Sequence, residues 1–99
     1  MPYYVYILRC SDQSYYVGLT SDINKRLEKH NSGKGASWTA TRLPIKLVYK
    51  EKYEIKSEAL NREQQLKKWS RAKKEALIKG DVELLRKLSK PHQNKMTNS

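Results

Sequence analysis

An α+β domain is what this sequence predicts: two strands joined as a hairpin, a third strand later in the chain, and helical segments between and after them. Three observations point there. Residues 3–10 (YYVYILRC) and 15–20 (YYVGLT) are dense in β-branched and aromatic residues. Ser11-Asp12-Gln13-Ser14 between them is turn material, which joins the two as an antiparallel hairpin. From residue 22 the apolar positions then change to helical spacing, i, i+3, i+4, i+7.

The first strand is apolar at nearly every position, as expected of a strand covered on both faces. If the hairpin turn closes over an odd number of residues, Tyr6 and Tyr16 share a face and Gly18 lies opposite Tyr6, leaving room for its ring; an even loop would separate the tyrosines. Ser21 or Asp22 can cap a helix running to Asn31, with Asn31-Ser32-Gly33 as its stop and Ile23, Arg26, Leu27 and His30 as its inward stripe. Residues 33–44 are rich in Gly, Ser and Thr and read as a long exposed loop carrying Trp38 and Arg42. Residues 45–53 (IKLVYKEKY) alternate as a third strand, with Ile45, Leu47 and Tyr49 on one face and Val48 on the other. Ser57 is the expected N-cap of the next helix, running to about residue 69 with Ala59, Glu63 and Leu66 inward and Arg62 beside them. Ser70 then caps a helix that stops at Gly80, and Asp81 starts a last short one holding Val82, Leu85 and Leu88. Residues 1–90 read as one domain, and 91–99 as a disordered tail.

Charge narrows the partner. The chain of 99 residues carries 21 Lys and Arg against 10 Asp and Glu, a formal net charge of +11, which favours a polyanion and nucleic acid first. Seven tyrosines and two tryptophans supply the bulky anchors that a disordered basic tail lacks. Cys10 is alone, so no intrachain disulfide forms; this fits a reducing cytoplasm. No signal-peptide pattern and no apolar run near the roughly 20 residues of a membrane span is visible. A monomer is expected.

Polar residues on the inward stripes need a reason. Glu63 lies between Ala59 and Leu66, where a carboxylate is tolerated only if a cation meets it, either an arginine such as Arg26 or a divalent metal. Tyr6, Tyr16, Arg26, His30 and Glu63 together are the groups that phosphodiester hydrolysis needs. A phenol in a cationic pocket can act as base, guanidinium suits phosphoryl oxygens, and a carboxylate can hold a metal against the leaving oxygen. A single Glu suffices for Mg²⁺, which keeps most of its waters. Trp38, Arg42, Arg62, Lys67, Lys68 and Arg71 are the candidate DNA contacts, beside Lys73 and Lys74.

These residues closely resemble the GIY-YIG nuclease superfamily, in its small stand-alone bacterial branch. The first motif's tyrosine matches Tyr6, and the second motif is Tyr16-Val17-Gly18; the helix arginine matches Arg26, the His or Tyr one turn later His30, and the metal-binding glutamate Glu63. Tyr4 stands where the first motif has Gly, and Leu19 where repair-type relatives have Lys. The resemblance implies a central three-stranded antiparallel sheet flanked by helices, one divalent metal, Mg²⁺ or Mn²⁺, and hydrolysis of a DNA strand. Tyr16 is then the general base, Tyr6 its orienting partner, Arg26 the transition-state cation and Glu63 the metal ligand. No separate targeting domain is visible, so specificity falls to this domain or to a partner protein. The alternative is a nucleic-acid-binding module that keeps the nuclease fold with little or no catalysis.

Overall fold

The computed structural model describes residues 1–89, in the order β1 (Tyr3–Arg9), β2 (Tyr15–Thr20), α1 (Ile23–Asn31), α2 (Ser37–Ala40), β3 (Lys46–Tyr53), α3 (Lys56–Lys67), α4 (Arg71–Lys79) and α5 (Val82–Ser89). The expectation for residues 91–99 lies outside this range. The chain divides into two compact units, Met1–Lys68 with the sheet and the first three helices, and a second that begins at Trp69 and holds α4 and α5.

In the first unit the strands form one antiparallel sheet in the order β2-β1-β3. The apolar run at the start of the chain therefore becomes the central strand, and Val5, Tyr6, Ile7 and Leu8 are all fully buried, consistent with cover on both faces. Each such side chain contributes about 1.5–3 kcal/mol by leaving water. The hairpin pairs Arg9 with Tyr15, so its loop is residues 10–14, an odd length. Leu8 accordingly faces Tyr16 and Tyr6 faces Gly18, which sets both tyrosines on one sheet face. Hydrogen bonds from Cys10 N to Ser14 O and from Gln13 N to Cys10 O, both 2.9 Å, close the turn. The Asp12 carboxylate accepts from Ser14 N at 3.0 Å inside it.

On the tyrosine face, Tyr6, Leu8, Cys10 and Ile45 form a core against which Tyr16, Ile23, Leu27, Leu43 and Leu47 pack. Helix α1 supplies Ile23 and Leu27. Asp22 caps it by accepting from Lys25 N at 3.1 Å, and it ends at Asn31 with Gly33 N bonded to His30 O. On the other face α3 packs against all three strands, with Ala59 and Leu66 fully buried.

Three local expectations are corrected. Residues 33–44 are not simply an exposed loop: Ser37–Ala40 is a helical turn, and Thr39 on it is fully buried, because its hydroxyl finds partners inside. In β3 the register shifts between its pairs with Ile7 and Leu8. Leu8 pairs with Leu47 and Ile7 with Tyr49, leaving Val48 as the extra residue of a bulge. Leu47 and Tyr49 therefore point to opposite faces instead of the same one. Helix α3 begins one residue before Ser57, with Ile55 in extended conformation as its cap and Ala59 N bonded to Ile55 O, so Ser57 lies within the first turn.

The second unit follows its sequence signals. Ser70 caps α4 by accepting from Lys73 N, and Gly80 is its stop. Asp81 accepts from Leu84 N at 3.1 Å at the start of α5. Val82 and Leu88 are exposed on that helix and Leu85 is half-buried. No helix among the described residues is long and apolar enough to cross a membrane.

Candidate active site

The hairpin register brings the two tyrosine rings to 6.4 Å between centroids. Gly18 makes this possible, since a Cβ there would lie 2.4 Å from the Tyr6 phenol carbon and oxygen. Helix α1 closes over the pair. Its last turn delivers His30, fully buried, with Nε2 3.2 Å from the Tyr6 hydroxyl and its ring 5.3 Å from that of Tyr16 in an edge-on contact. The other imidazole nitrogen, Nδ1, is 2.8 Å from Thr39 Oγ1. Gly35 lets the α1–α2 connection lie directly on the histidine, as a Cβ at that position would meet Nδ1 at 2.4 Å.

Arg26 lies one turn before His30. Its charge acts on both neighbours, favouring the ionised form of Tyr6 and opposing protonation of His30. Among the described residues it forms no salt bridge. The charge of Glu63, on α3, opposes ionisation of Tyr6. The side chain of Glu63 is only 12% exposed, and its ion pair is with Lys67, at 3.3 Å and one helical turn away on the same helix. Of the two cations that the sequence allowed for this carboxylate, Arg26 is therefore not the salt-bridge partner, and an exposed lysine is a weak substitute. No cluster of three or more metal-ligating side chains occurs among the described residues. A single carboxylate set into a mostly buried wall nevertheless fits Mg²⁺, whose remaining positions are filled by water and phosphate oxygens.

The electrostatics act on Tyr6 and His30. Burial, first of all, then the proximity of Tyr16, raises the Tyr6 pKa far above the ordinary phenol value, so Tyr6 stays protonated. Burial, with Arg26 and Lys29 nearby, lowers the His30 pKa below its ordinary value, so the imidazole is neutral at neutral pH. That shift has a consequence for stability. The unfolded chain takes up a proton near pH 6.5, whereas the folded chain resists it, so stability declines as pH falls below about 6.5. Urea midpoints measured downward from pH 7.5 should show this decline, and His30→Gln should flatten it between pH 6.5 and 5.5; an unchanged slope would place the titration elsewhere.

The candidate DNA contacts separate in the structure. Trp38 is exposed and stacks beside Tyr16, with ring centroids 6.0 Å apart, so it borders the site. Arg42 lies 4.1 Å over the Trp38 ring, and its guanidinium also bonds Trp38 O at 2.7 Å and the Asp12 carboxylate at 3.1 Å, tying α2 to the hairpin turn. Arg62 lies on the opposite sheet face, held by both oxygens of Glu51 at 2.9 Å. Lys67 is paired with Glu63, and Lys68 is exposed at the end of α3. Arg71, in the second unit, pairs with Glu75 at 3.2 Å.

Two features were not anticipated. Thr39 was hidden inside a segment whose composition reads as loop, and nothing in a four-residue helix without a side-chain cap marks it. The Glu51 cluster, with Tyr49 and Tyr53 also donating to its carboxylate, depends on the bulge that turns Tyr49 to that face.

Residues 2–76 match the family described as the GIY-YIG catalytic domain, a span that includes Tyr6, Tyr16, Arg26, His30 and Glu63. The chain is 54% identical over 77 residues to a Staphylococcus aureus protein named UPF0213 protein, covering 78% of this chain and 94% of that one. Two solution NMR structures are similar. The UPF0213 protein of Bacillus halodurans is 45% identical with a TM-score of 0.54, covering 92% of this chain and all of that one. A protein of E. faecalis is 38% identical with a TM-score of 0.58, covering 93% of each chain.

Proposed function

This chain belongs to the GIY-YIG family, and from that premise we propose that it is a metal-dependent DNA endonuclease acting in the cytoplasm. The observation that carries the reading is that Tyr6, Tyr16 and His30 meet on one face of the hairpin while the charges of Arg26 and Glu63 act on Tyr6, five groups from four separate elements. A structural core has no use for a guanidinium without a carboxylate partner beside two phenols and a carboxylate almost wholly buried. A phosphodiester supplies what Arg26 lacks.

In this reading Tyr16 takes a proton from the attacking water, since the buried Tyr6 phenol is held protonated. Arg26 neutralises charge on the phosphoryl oxygens as it develops. Glu63 is the residue that would hold Mg²⁺ or Mn²⁺, and a bound divalent ion supplies charge stabilisation at the leaving oxygen. Tyr6 and His30 orient Tyr16 from below. The exposed Trp38 and the surplus of Lys and Arg hold the strand, with Lys68 and Arg71 as phosphate contacts and the domain itself or a partner protein choosing the site of cutting.

The test is cleavage of single-stranded, duplex, flapped and branched DNA in the presence of Mg²⁺ or Mn²⁺, with chelator and a Glu63→Ala control. Metal-dependent cutting lost in the control supports the proposal. Binding without cutting on every substrate would make the protein a binding module with a nuclease fold. The binding itself should depend on salt, with log affinity falling against log salt by about 0.9 for each phosphate neutralised on duplex DNA. Lys68→Gln with Arg71→Gln should flatten that slope; Lys67 is left in place because it holds Glu63. Affinity independent of salt would show that the charge serves only solubility.

A further inference from the structure

The hydrogens of the buried chain Tyr6–His30–Thr39–Ala36 can be counted. The Thr39 hydroxyl lies 2.9 Å from the Ala36 carbonyl oxygen and 2.8 Å from His30 Nδ1, and it has one proton to give. His30 Nε2 lies 3.2 Å from the Tyr6 oxygen. Tyr6 is 1% exposed, His30 and Thr39 fully buried. Two arrangements are available. If Thr39 donates to the imidazole, Nε2 carries the ring proton and points it at Tyr6, and the Tyr6 O–H must find another acceptor. Among the described residues the phenol has no other hydrogen-bond partner, so a buried donor would be left unpaired. If Thr39 donates to Ala36 O, every proton has a place: Tyr6 O–H on Nε2, Nδ1–H on Thr39 Oγ1, and the Thr39 proton on the carbonyl. This arrangement also sets the most acidic donor, the phenol, on the most basic acceptor, the bare imidazole nitrogen.

We propose that Thr39 is a positioning residue that fixes His30 in the Nδ1–H tautomer and thereby makes Tyr6 a donor to His30, so that the Tyr6 ring is held in one place beside Tyr16. The inference deepens the nuclease reading and rests on it for its catalytic consequence. With its proton held by His30, the Tyr6 ring is fixed beside that of Tyr16, 6.4 Å away between centroids, and so steadies the general base. The opposite tautomer would leave the Tyr6 proton unpaired and the ring less firmly held. Gly35 belongs to the same device, because only a residue without Cβ lets the α1–α2 connection bring Thr39 onto Nδ1.

The tautomer can be read without substrate. In the ¹⁵N-labelled full chain near neutral pH, the imidazole nitrogens of His30, assigned by difference from a His30→Gln sample, should show a protonated Nδ1 and a bare Nε2. Thr39→Ser keeps the hydroxyl and should preserve that pattern. Thr39→Val keeps the shape, removes the acceptor, and should shift the ring toward the Nε2–H form. Single-turnover cleavage should then fall about tenfold in Thr39→Val, the worth of one buried hydrogen bond, with KM unmoved and Thr39→Ser close to wild type. A bare Nδ1 in the wild-type protein, or a Thr39→Val ring with its tautomer unchanged, overturns the proposal whatever the cleavage result. Wild-type protein with the expected tautomer and no cleavage on any DNA would instead overturn the nuclease reading and leave the role of Thr39 in fixing the ring intact.

Discussion

Replacement of Glu63 by alanine, or of Tyr16 by phenylalanine, should lower single-turnover DNA cleavage by about a hundredfold to a thousandfold while leaving the fold and most DNA affinity in place. Each substitution removes one chemical group. Without Glu63 the carboxylate proposed to hold the divalent ion is gone, and Lys67 is released from its ion pair, so DNA affinity should hold or rise as a negative charge is lost. The Tyr16→Phe change deletes the hydroxyl and keeps the ring that packs between Tyr6, His30 and Trp38. Arg26→Ala should match them in cleavage but also lose affinity, because a guanidinium without a salt-bridge partner meets phosphate in the ground state as well as in the transition state. His30→Ala should be milder in chemistry, since it acts through Tyr6. Wild-type cleavage rates from protein purified with Glu63→Ala would assign the activity to a contaminant or another site.

The largest expected effect on stability lies on the opposite face of the sheet. Glu51 and Arg62 form a two-pronged pair with both contacts at 2.9 Å, and their side chains are 16% and 22% exposed. Burial raises the Glu51 pKa, but the hydrogen bonds from Arg62, Tyr49 and Tyr53 outweigh it and leave the carboxyl below its usual range. In return burial, and then the bond to that carboxylate, push the Tyr53 phenol up to about 12. Arg62→Ala strands the carboxylate between two phenols and should cost about 3 kcal/mol in urea unfolding. The double change Glu51→Leu with Arg62→Leu should cost clearly less, because no charge is then left buried alone. Cleavage per folded molecule should be little changed in either variant, as Tyr16 and His30 lie across the sheet. A cost for Arg62→Ala within a few tenths of a kilocalorie of zero would mean that solvent screens the pair and that it adds nothing to the fold.

Much of this arrangement was legible from local chemistry. The strand segments, the hairpin between them, the Asp22, Ser70 and Asp81 caps and the Gly80 stop are each written by a few neighbouring residues, and the structure forms them as the local rules require. The inward placement of His30 and Glu63 followed from helical spacing alone, since polar groups on an apolar stripe must be carried inside. Even the shared face of Tyr6 and Tyr16 reduced to the parity of a loop, which the pairing of Arg9 with Tyr15 resolved as odd.

The rest depended on contacts between residues distant in sequence. The Val48 bulge is invisible in IKLVYKEKY, because alternation carries no information about where a partner strand omits a residue; only pairing with Ile7 and Leu8 shows it. That single extra residue sets Tyr49, with Glu51, on the sheet face opposite Leu47, where Arg62 meets the carboxylate. Thr39 was misread for a similar reason. A short polar segment looks exposed by composition, and it is buried here because His30 and the Ala36 carbonyl satisfy its hydroxyl. The sequence by itself thus determined which residues are candidates for chemistry and on which elements they ride, since periodicity and capping are local. Which nitrogen of His30 faces Tyr6, which cation meets Glu63, and that Arg26 does not pair with that carboxylate were decided by the tertiary structure, because each depends on the distance between groups that only folding brings together.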